Sequence, residues 1–422
     1  MAPRYELPLS AGTGGSVTVT SCQVCGSKDL QSSLFVGYLP PVNQMRPIGQ
    51  RPHEQPAYPA EFLYCPKCEL VQLGLIVDPA ILFPPDYPYT SGTTTILHEN
   101  FADLARESAA LLGLKKGDLV IDVGSNDGTL LSKFKDGGFK LLGIEPTDAG
   151  ELARKQGIET ETAYFTKDVA ERVRKRHGAA KLVTAANCFA HIENVHDIVE
   201  GVLALLDKDG VFISESHYLV SLLETVQYDT IYHEHLRYYS LTSLSYLLGM
   251  HGLEVIHAKP IPTHGGSIRV YAARKGTRPV TAAPAEILAA ERQALTPAAY
   301  ADFRTRVCAS KLDLLAMIRD IRRTGARVYA IGAPSRASTL VNYVGLDDST
   351  LDCVLEIKGS YKIGKYMPGT LIPVLDEARL FEDQPEYALL LSWHIGEELA
   401  TKLRQFGYKG QFIVPLPTPR LL

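Results

Sequence analysis

The stretch Leu119–Leu131, LVIDVGSNDGTLL, decides the architecture of this chain. Apolar and β-branched residues run into Asp122, then a glycine loop, then the first turn of a helix. A strand feeding a helix through such a loop is a ligand site with a physical rationale. Gly124 and Gly128 allow close backbone approach, while Asp122 and Asp127 offer acceptors for hydroxyl or ammonium groups. Phosphate loops carry G-x-G-x-x-G or a lysine-bearing turn. Here two carboxylates crowd the turn and would repel a phosphate. A cationic or neutral nucleoside cofactor suits the loop better, and S-adenosylmethionine is the obvious candidate. An ordinary strand-to-helix turn is the competing reading.

Outward from this loop the pattern alternates. A second strand, Leu141–Glu145, ends in an acid that can accept from ribose hydroxyls. A strand at 182–187 ends in CFAHIENVHD, a helix follows at 195–206, and another strand runs over 211–216. Strands alternating with helices predict a doubly wound parallel sheet with ligands at the carboxyl ends of its strands. Asn187, His191, Glu193 and His196 fall there. For His191 alone, a buried, hydrogen-bonded imidazole is the commoner explanation.

The whole chain of 422 residues has room for two to four domains. Its 45% hydrophobic and 21% charged content is that of a soluble globular protein, and a net charge of −4 argues against binding nucleic acid. No apolar run is long enough to span a membrane, and MAPRYELPLSAG lacks the pattern of a secretory signal. Seven cysteines, four of them in two C-x-x-C pairs, suggest metal binding in a reducing, cytoplasmic setting. Cys22, Cys25, Cys65 and Cys68 can surround a structural zinc, and four thiolates leave no open catalytic position. The Pro-rich run from Leu39 to Pro59 supplies the loop between the pairs. Tyr87 and Tyr89 precede a helix at 95–112, and packing in a linker competes with a role at the site.

Beyond the alternating region comes Gln227–Leu241, QYDTIYHEHLRYYSL, too polar for ordinary packing. Tyr232, His233, Glu234 and His235 supply a phenol, two imidazoles and a carboxylate. That is an acid–base cluster, because His titrates near neutral pH and a carboxylate can fix its tautomer. A His-x-His metal site is the rival, without a clear third ligand. A helix at 242–251 and strands at 253–259 and 267–274 close this domain, with Thr263–Ser267 as the hairpin turn. After a linker at 276–286, a long helical stretch reaches Gly325. A second strand–glycine–helix unit, RVYAIGAPSRASTL, then spans Arg327–Leu340. It bears Ser335 and Arg336 and no acid, which suits a phosphate or diphosphate. Lys358, Lys362, Lys365 and the Tyr366–Thr370 turn lie among further strands at 351–357, 386–393 and 410–414. The alternative for this half is a purely structural subdomain.

With these residues in view, the chain resembles the sugar C-methyltransferases of deoxysugar biosynthesis, which methylate C3 of nucleotide-linked 4-keto sugars. The resemblance runs through the paired C-x-x-C turns, VIDVGSNDGTLL, GIEP, ANCFAHIENVHD, YDTIYHEHLRYYSL, HGGSIRVY, NYVGL, KIGKYMPGTLIPV and ALLLSWHI. It implies an α/β protein of three parts. These are a zinc-binding domain over 1–78, a Rossmann-like methyltransferase domain over 79–275, and a C-terminal α/β nucleotide-sugar-binding domain over 286–422. It makes the four cysteines zinc ligands and places Asp122, Gly124, Asn126, Asp127, Glu145 and Asn187 around S-adenosylmethionine. His235, oriented by Glu234, is the implied base, with Tyr232, His191 and one of Tyr87 or Tyr89 near the sugar. His233, Ser335, Arg336, Lys362 and Tyr366 form the implied substrate set. The expected substrate is a dTDP-linked sugar, other nucleotides staying open; a monomer is one expectation, and the oligomeric state stays open. The chain departs from the family pattern around Arg336–Ser338 and Glu356–Ser360, in the half assigned to the nucleotide sugar. A sugar O-methyltransferase and a non-catalytic nucleotide-sugar-binding protein are the alternatives.

Overall fold

The computed structural model describes residues 15–52, 55–84, 91–93 and 95–422; Tyr87 and Tyr89 lie outside them. The opening stretch forms the strand Leu119–Val123, in which all five side chains are buried. Such a continuous apolar run belongs in the middle of a parallel sheet covered on both faces. Lys140–Ile144 and Glu159–Glu161 continue the parallel sheet on one side, and Ala180–Ala186 and Leu206–His217 on the other. Ser267–Arg274 and Leu253–Ile261 extend it antiparallel to seven strands. The helix Thr95–Leu112 covers one face through Leu97, Phe101 and Leu104. Lys167–His177 and Val195–Leu205 cover the other through Val169, Val173, Ile198 and Val202.

The C-terminal sheet repeats this plan. Val328–Ile331 is its central first strand, with Cys353–Glu356 and Val374–Asp376 to one side and Tyr387–Leu390 and Gln411–Val414 to the other, all parallel. Arg420–Leu421 adds an antiparallel edge. In both sheets the strand order reverses beside the first strand, the position at which sheets of this kind take ligands at the carboxyl ends of their strands.

The N-terminal part is a small antiparallel sheet of Gln31–Leu39, Tyr58–Tyr64 and Val71–Leu73. A fourth strand, Arg237–Tyr238, comes from the polar stretch read above as an acid–base cluster. That stretch is buried throughout from Val226 to Leu241. The 27-residue helix Pro297–Arg323 places Phe303, Val307, Leu314 and Ile318 in one core with Leu34 and Phe62 of the small sheet and Val328 of the C-terminal sheet. The cysteine turns instead pack into the core of the central sheet, alongside Phe189 and Tyr239.

Candidate active site and metal centre

At the end of the central strand, Gly124 and Gly128 adopt φ of +67° and +79°. A Cβ on Gly124 would lie 2.8 Å from Cys188 Cβ, and one on Gly128 would lie 2.8 Å from Ile158 Cδ1. Glycine is therefore required at both by handedness and by close packing of the loop on its neighbours. The Asp127 carboxylate is satisfied internally. It accepts from Thr129 N at 3.1 Å and Oγ1 at 2.6 Å, opening the short helix Thr129–Ser132, and from Gly92 N at 2.8 Å. Asp122 accepts from Thr184 Oγ1 at 2.6 Å on the adjacent strand, and burial raises its pKa to about 7. Glu145 accepts from Asn126 N at 2.9 Å and from Thr147 N and Oγ1 at 2.9 and 2.6 Å. A carboxylate has about four lone-pair sites, so Glu145 retains room for about one further donor. Asn187 lies at the end of the neighbouring strand with φ +61°. Burial, then the charges of Asp122 and Glu145, hold the Cys188 thiol well above its ordinary pKa. The mouth is thus electronegative. It fits a sulfonium and ribose hydroxyls and disfavours phosphate.

His235 sits beside this mouth. Its Nδ1 lies 2.8 Å from the Thr230 carbonyl. A carbonyl can only accept, so Nδ1 carries the proton and Nε2 keeps its lone pair. The sequence reading made Glu234 the orienting group. In the structure the backbone of Thr230 fixes the ring, while Glu234 Oε1 accepts from Asn43 Nδ2 at 2.8 Å. Around His235 the Tyr232 ring is centred 4.1 Å away, His217 4.8 Å and His191 5.1 Å; His264 lies 5.6 Å beyond His217. Burial, then His191, pushes His235 well below the usual imidazole range, the Thr230 bond opposing it. Burial and the Arg237 charge lower His191 to about 4, and burial with Arg336 lowers His264 to about 4. The cluster therefore consists of neutral imidazoles, and at His235 the unprotonated Nε2 is available to accept a proton or a hydrogen bond.

Arg237, fully buried, holds this arrangement. It donates to the Tyr239 hydroxyl at 2.9 Å, Gln23 Oε1 at 2.6 Å, the Glu193 carbonyl at 3.2 Å and the Ile192 carbonyl. It thereby clamps the loop bearing His191 onto the segment bearing His235. His217, His264 and Arg237 were missed in the sequence. His217 ends a parallel strand, Leu206–His217, and the strand-end rule that nominated Asn187 reaches it too.

All five residues assigned to the substrate have partners within the protein. His233 Nε2 lies 3.2 Å from the Pro59 carbonyl and its ring meets Tyr58 edge-on, so it faces the small sheet. Arg336 makes a two-pronged bond to the fully buried Asp229, at 2.7 and 2.8 Å, contacts the His264 carbonyl and Gln227, and lies over Trp393. Its charge is spent inside the protein, because an unpaired buried Asp229 would be costly. The Tyr366 hydroxyl accepts from Gly49 N at 3.1 Å. The second glycine loop is also occupied, since Glu356 Oε1 accepts from Ala333 N at 2.7 Å and Lys362 Nζ donates to Ala333 O at 2.5 Å. An acid fills the cradle read as a phosphate site. Ser335 Oγ points to Asn43 Oδ1, 3.4 Å away.

The cysteine pairs converge. Cys22 and Cys68 Sγ lie 3.4 Å apart, Cys25 and Cys65 Sγ 3.5 Å apart, and all four within 4.8 Å of one another. A zinc thiolate tetrahedron with bonds of about 2.3 Å has edges of about 3.8 Å, so the four sulfurs fit zinc. Among the described residues only these cysteines bring three or more metal-ligating atoms together, and the histidines of Tyr232–His235 are not part of such a group.

Three family profiles divide the chain: a zinc binding domain over residues 22–83, a methyltransferase domain over 96–258, and a C-methyltransferase C-terminal domain over 262–417. Fold, cysteine centre and profiles together define an enzyme, an S-adenosylmethionine-dependent C-methyltransferase with a zinc-binding domain. The chain is 34% identical over 409 residues to the C-methyltransferase NovU of Streptomyces niveus, spanning 96% of this chain and 97% of that protein. It belongs to the C-methyltransferase family that includes NovU. Among solved structures, magnesium protoporphyrin IX methyltransferase of Synechocystis PCC 6803 with bound SAM is 16% identical, covering 42% of this chain and 79% of that one at a TM-score of 0.33. The PH0226 protein of Pyrococcus horikoshii OT3 is 14% identical, covering 47% and 97% at 0.36. At those scores neither adds to the assignment. No helix among the described residues is long and apolar enough to cross a membrane.

Proposed function

We propose that this enzyme methylates C3 of a nucleotide-linked 4-keto sugar, with His235 as the base. The observation that carries the reading is the His235 tautomer: Nδ1 is tied to the Thr230 carbonyl at 2.8 Å, which leaves Nε2 as a basic lone pair in a buried cluster of neutral imidazoles. The 4-keto group acidifies the C3 hydrogen. His235 Nε2 removes that proton, and the electron pair moves into the ketone as an enolate. Tyr232 and His191 flank His235 and can donate to the developing oxyanion. S-adenosylmethionine supplies an electrophilic methyl group to that carbon. Gly124, Asn126, Glu145 and Asn187 bound its proposed site, with Asp122 and Asp127 supporting the loop from within. The nucleotide sugar would lie between the central and C-terminal sheets, near Lys362 and Ser335, in a chain divided near residues 78 and 275–286.

The test is His235→Asn, assayed with S-adenosylmethionine and a panel of 4-keto nucleotide sugars. Cofactor binding should persist while turnover and solvent exchange of the C3 hydrogen disappear. Full turnover in this variant would remove His235 from the role of base. Methylation of a sugar whose 4-keto group has been reduced would favour transfer to oxygen instead.

A further inference from the structure

A proton taken by His235 has to leave again. Methylation of carbon by a sulfonium sheds one proton per methyl group. The C3–H bond breaks, its electron pair forms the new bond to carbon, and the S–CH3 pair stays on sulfur as the sulfonium charge is lost. The positive charge therefore departs on the proton. Nδ1 of His235 is held by the Thr230 carbonyl at 2.8 Å, and that carbonyl offers no onward path. The proton arrives at Nε2 and has to leave from Nε2.

On one side of His235 stands a row of imidazoles. The His217 ring is centred 4.8 Å from His235 at an interplanar angle of 72°, and the His264 ring 5.6 Å from His217 at 81°. Both residues are half-buried. The turn Trp393–Ile395 of the C-terminal part packs on the turn Thr263–Gly265. It brings up His394, whose Nδ1 is buried without a hydrogen-bond partner among the described residues. Imidazoles at such spacing are in range for proton transfer, directly or across one water.

His264 holds its place under strain. Its φ of +57° and ψ of 21° are left-handed, a conformation that costs any residue with a side chain. Gly265 and Gly266 follow at +86° and +122°, and a Cβ on Gly266 would collide with Ser221. Each residue of the turn is tied down. His264 O accepts from Arg336 Nη1 at 3.1 Å, Gly265 O from Gln227 Nε2 at 2.7 Å, and Gly266 O from Tyr218 N at 3.1 Å. Tyr218 follows His217 directly, so the bond that fixes the turn also sets His264 against His217.

We propose that His217 is a proton-relay residue, taking the proton from His235 Nε2 and passing it to His264 and so out of the site. The proposal rests on the reading of His235 as base. In each transfer the donor N–H bond breaks, its pair stays on that nitrogen, and the proton bonds to the lone pair of the next ring. No ring in the row traps the proton. Burial, and then neighbouring groups that include the Arg336 charge, lowers His217, His235 and His264 alike. The groups facing His217 are His235, His264, Arg336 and His191.

The experiment compares His217→Ala, His217→Gln, His264→Asn and His235→Asn in the full-length, zinc-loaded protein, with S-adenosylmethionine and a 4-keto nucleotide sugar that the parent turns over. In weak buffer His217→Ala should make its first methyl transfer at the parental rate and then slow, steady-state kcat falling on the order of 100-fold. Without a relay the proton on His235 returns to carbon, so exchange of the C3 hydrogen with deuterated solvent should fall in step. Added imidazole, which fits the space vacated, should restore both; pyrazole, of the same shape but a far weaker base, should not. His264→Asn suits the left-handed backbone and should show the same pattern more weakly. Parental steady-state turnover and exchange in His217→Ala overturn the proposal. So does a slowed first turnover or a raised KM for the sugar that imidazole does not relieve, which marks His217 as a sugar contact or a structural residue. If His217→Ala does not fold, His217→Gln decides by the same burst and exchange measurements. An active His235→Asn overturns the underlying reading of the base. An inactive His235→Asn beside a parental His217→Ala overturns this proposal alone.

Discussion

Replacing Arg336 by Met separates two accounts of the second glycine loop. As a phosphate ligand, Arg336 would contribute to nucleotide-sugar affinity and little to stability. The structure gives the opposite balance. Its guanidinium bonds Asp229 through two prongs at 2.7 and 2.8 Å, reaches the His264 carbonyl at 3.1 Å and Gln227 Oε1 at 3.2 Å, and caps Trp393. Trp393 Nε1 also donates to Asp229 at 2.8 Å. Arg336→Met leaves Asp229 charged and buried, with only the indole as a strong donor. Breaking a buried pair in this way costs about 3–5 kcal/mol. At about 2–4 °C per kcal/mol for a domain of this size, Tm should fall by roughly 6–20 °C. Adding Asp229→Asn removes the stranded charge and lets Trp393 donate to the amide oxygen, so the double variant should recover at least half of the loss. Thermal denaturation followed by circular dichroism, with calorimetric titration of the nucleotide sugar, measures both quantities. A Tm within about 2 °C of the parent, joined to a large loss of sugar-nucleotide affinity, would refute the reasoning and restore Arg336 to the substrate.

Metal analysis of the purified protein should find about one zinc per chain. Cys25→Ser should lower both zinc content and Tm, and a zinc-free parent would sink the assignment. Burial puts His191, His233 and His264 at about 4 in the folded chain. Unfolded histidines titrate near 6.5, so between about 6.5 and 4 the unfolded chain binds more protons and stability falls as pH drops. Tm should decline across that window, and a flat profile there contradicts the buried neutral cluster. With His235 also depressed, the acid limb of kcat/KM should lie below about 6.5. Gly124→Ala would bring a Cβ within 2.8 Å of Cys188 at a φ of +67°. It should cost about 1–3 kcal/mol and weaken S-adenosylmethionine binding, as equilibrium dialysis would show; parental affinity would mean the loop tolerates side chains.

Both sheets were legible in the sequence because each opens with an apolar strand broken by glycine, and local patterning is enough to place such a strand. The zinc centre was legible from spacing alone. What escaped depends on partners far along the chain. Arg336 looked free because nothing near it is acidic, yet its partner Asp229 is 107 residues away. His233 alternates with His235, and neighbouring side chains in an irregular turn give no hint that one meets the small sheet and the other the histidine cluster. The polar stretch around Tyr232–His235 is marked as functional by its composition. Its burial relies on partners such as the carbonyls at Thr230, Ile192 and Glu193, which no sequence pattern announces.

The pairing of Arg237–Tyr238 with Val71–Gln72 has a consequence for recombination between related enzymes. A crossover placed between the zinc-binding part and the methyltransferase part would graft a foreign strand edge onto the segment that carries His235, the proposed base. Functional chimeras should therefore need residues 227–241 to travel with residues 22–83. The unit that can be inherited or swapped intact is discontinuous, although the chain reads as a simple string of modules.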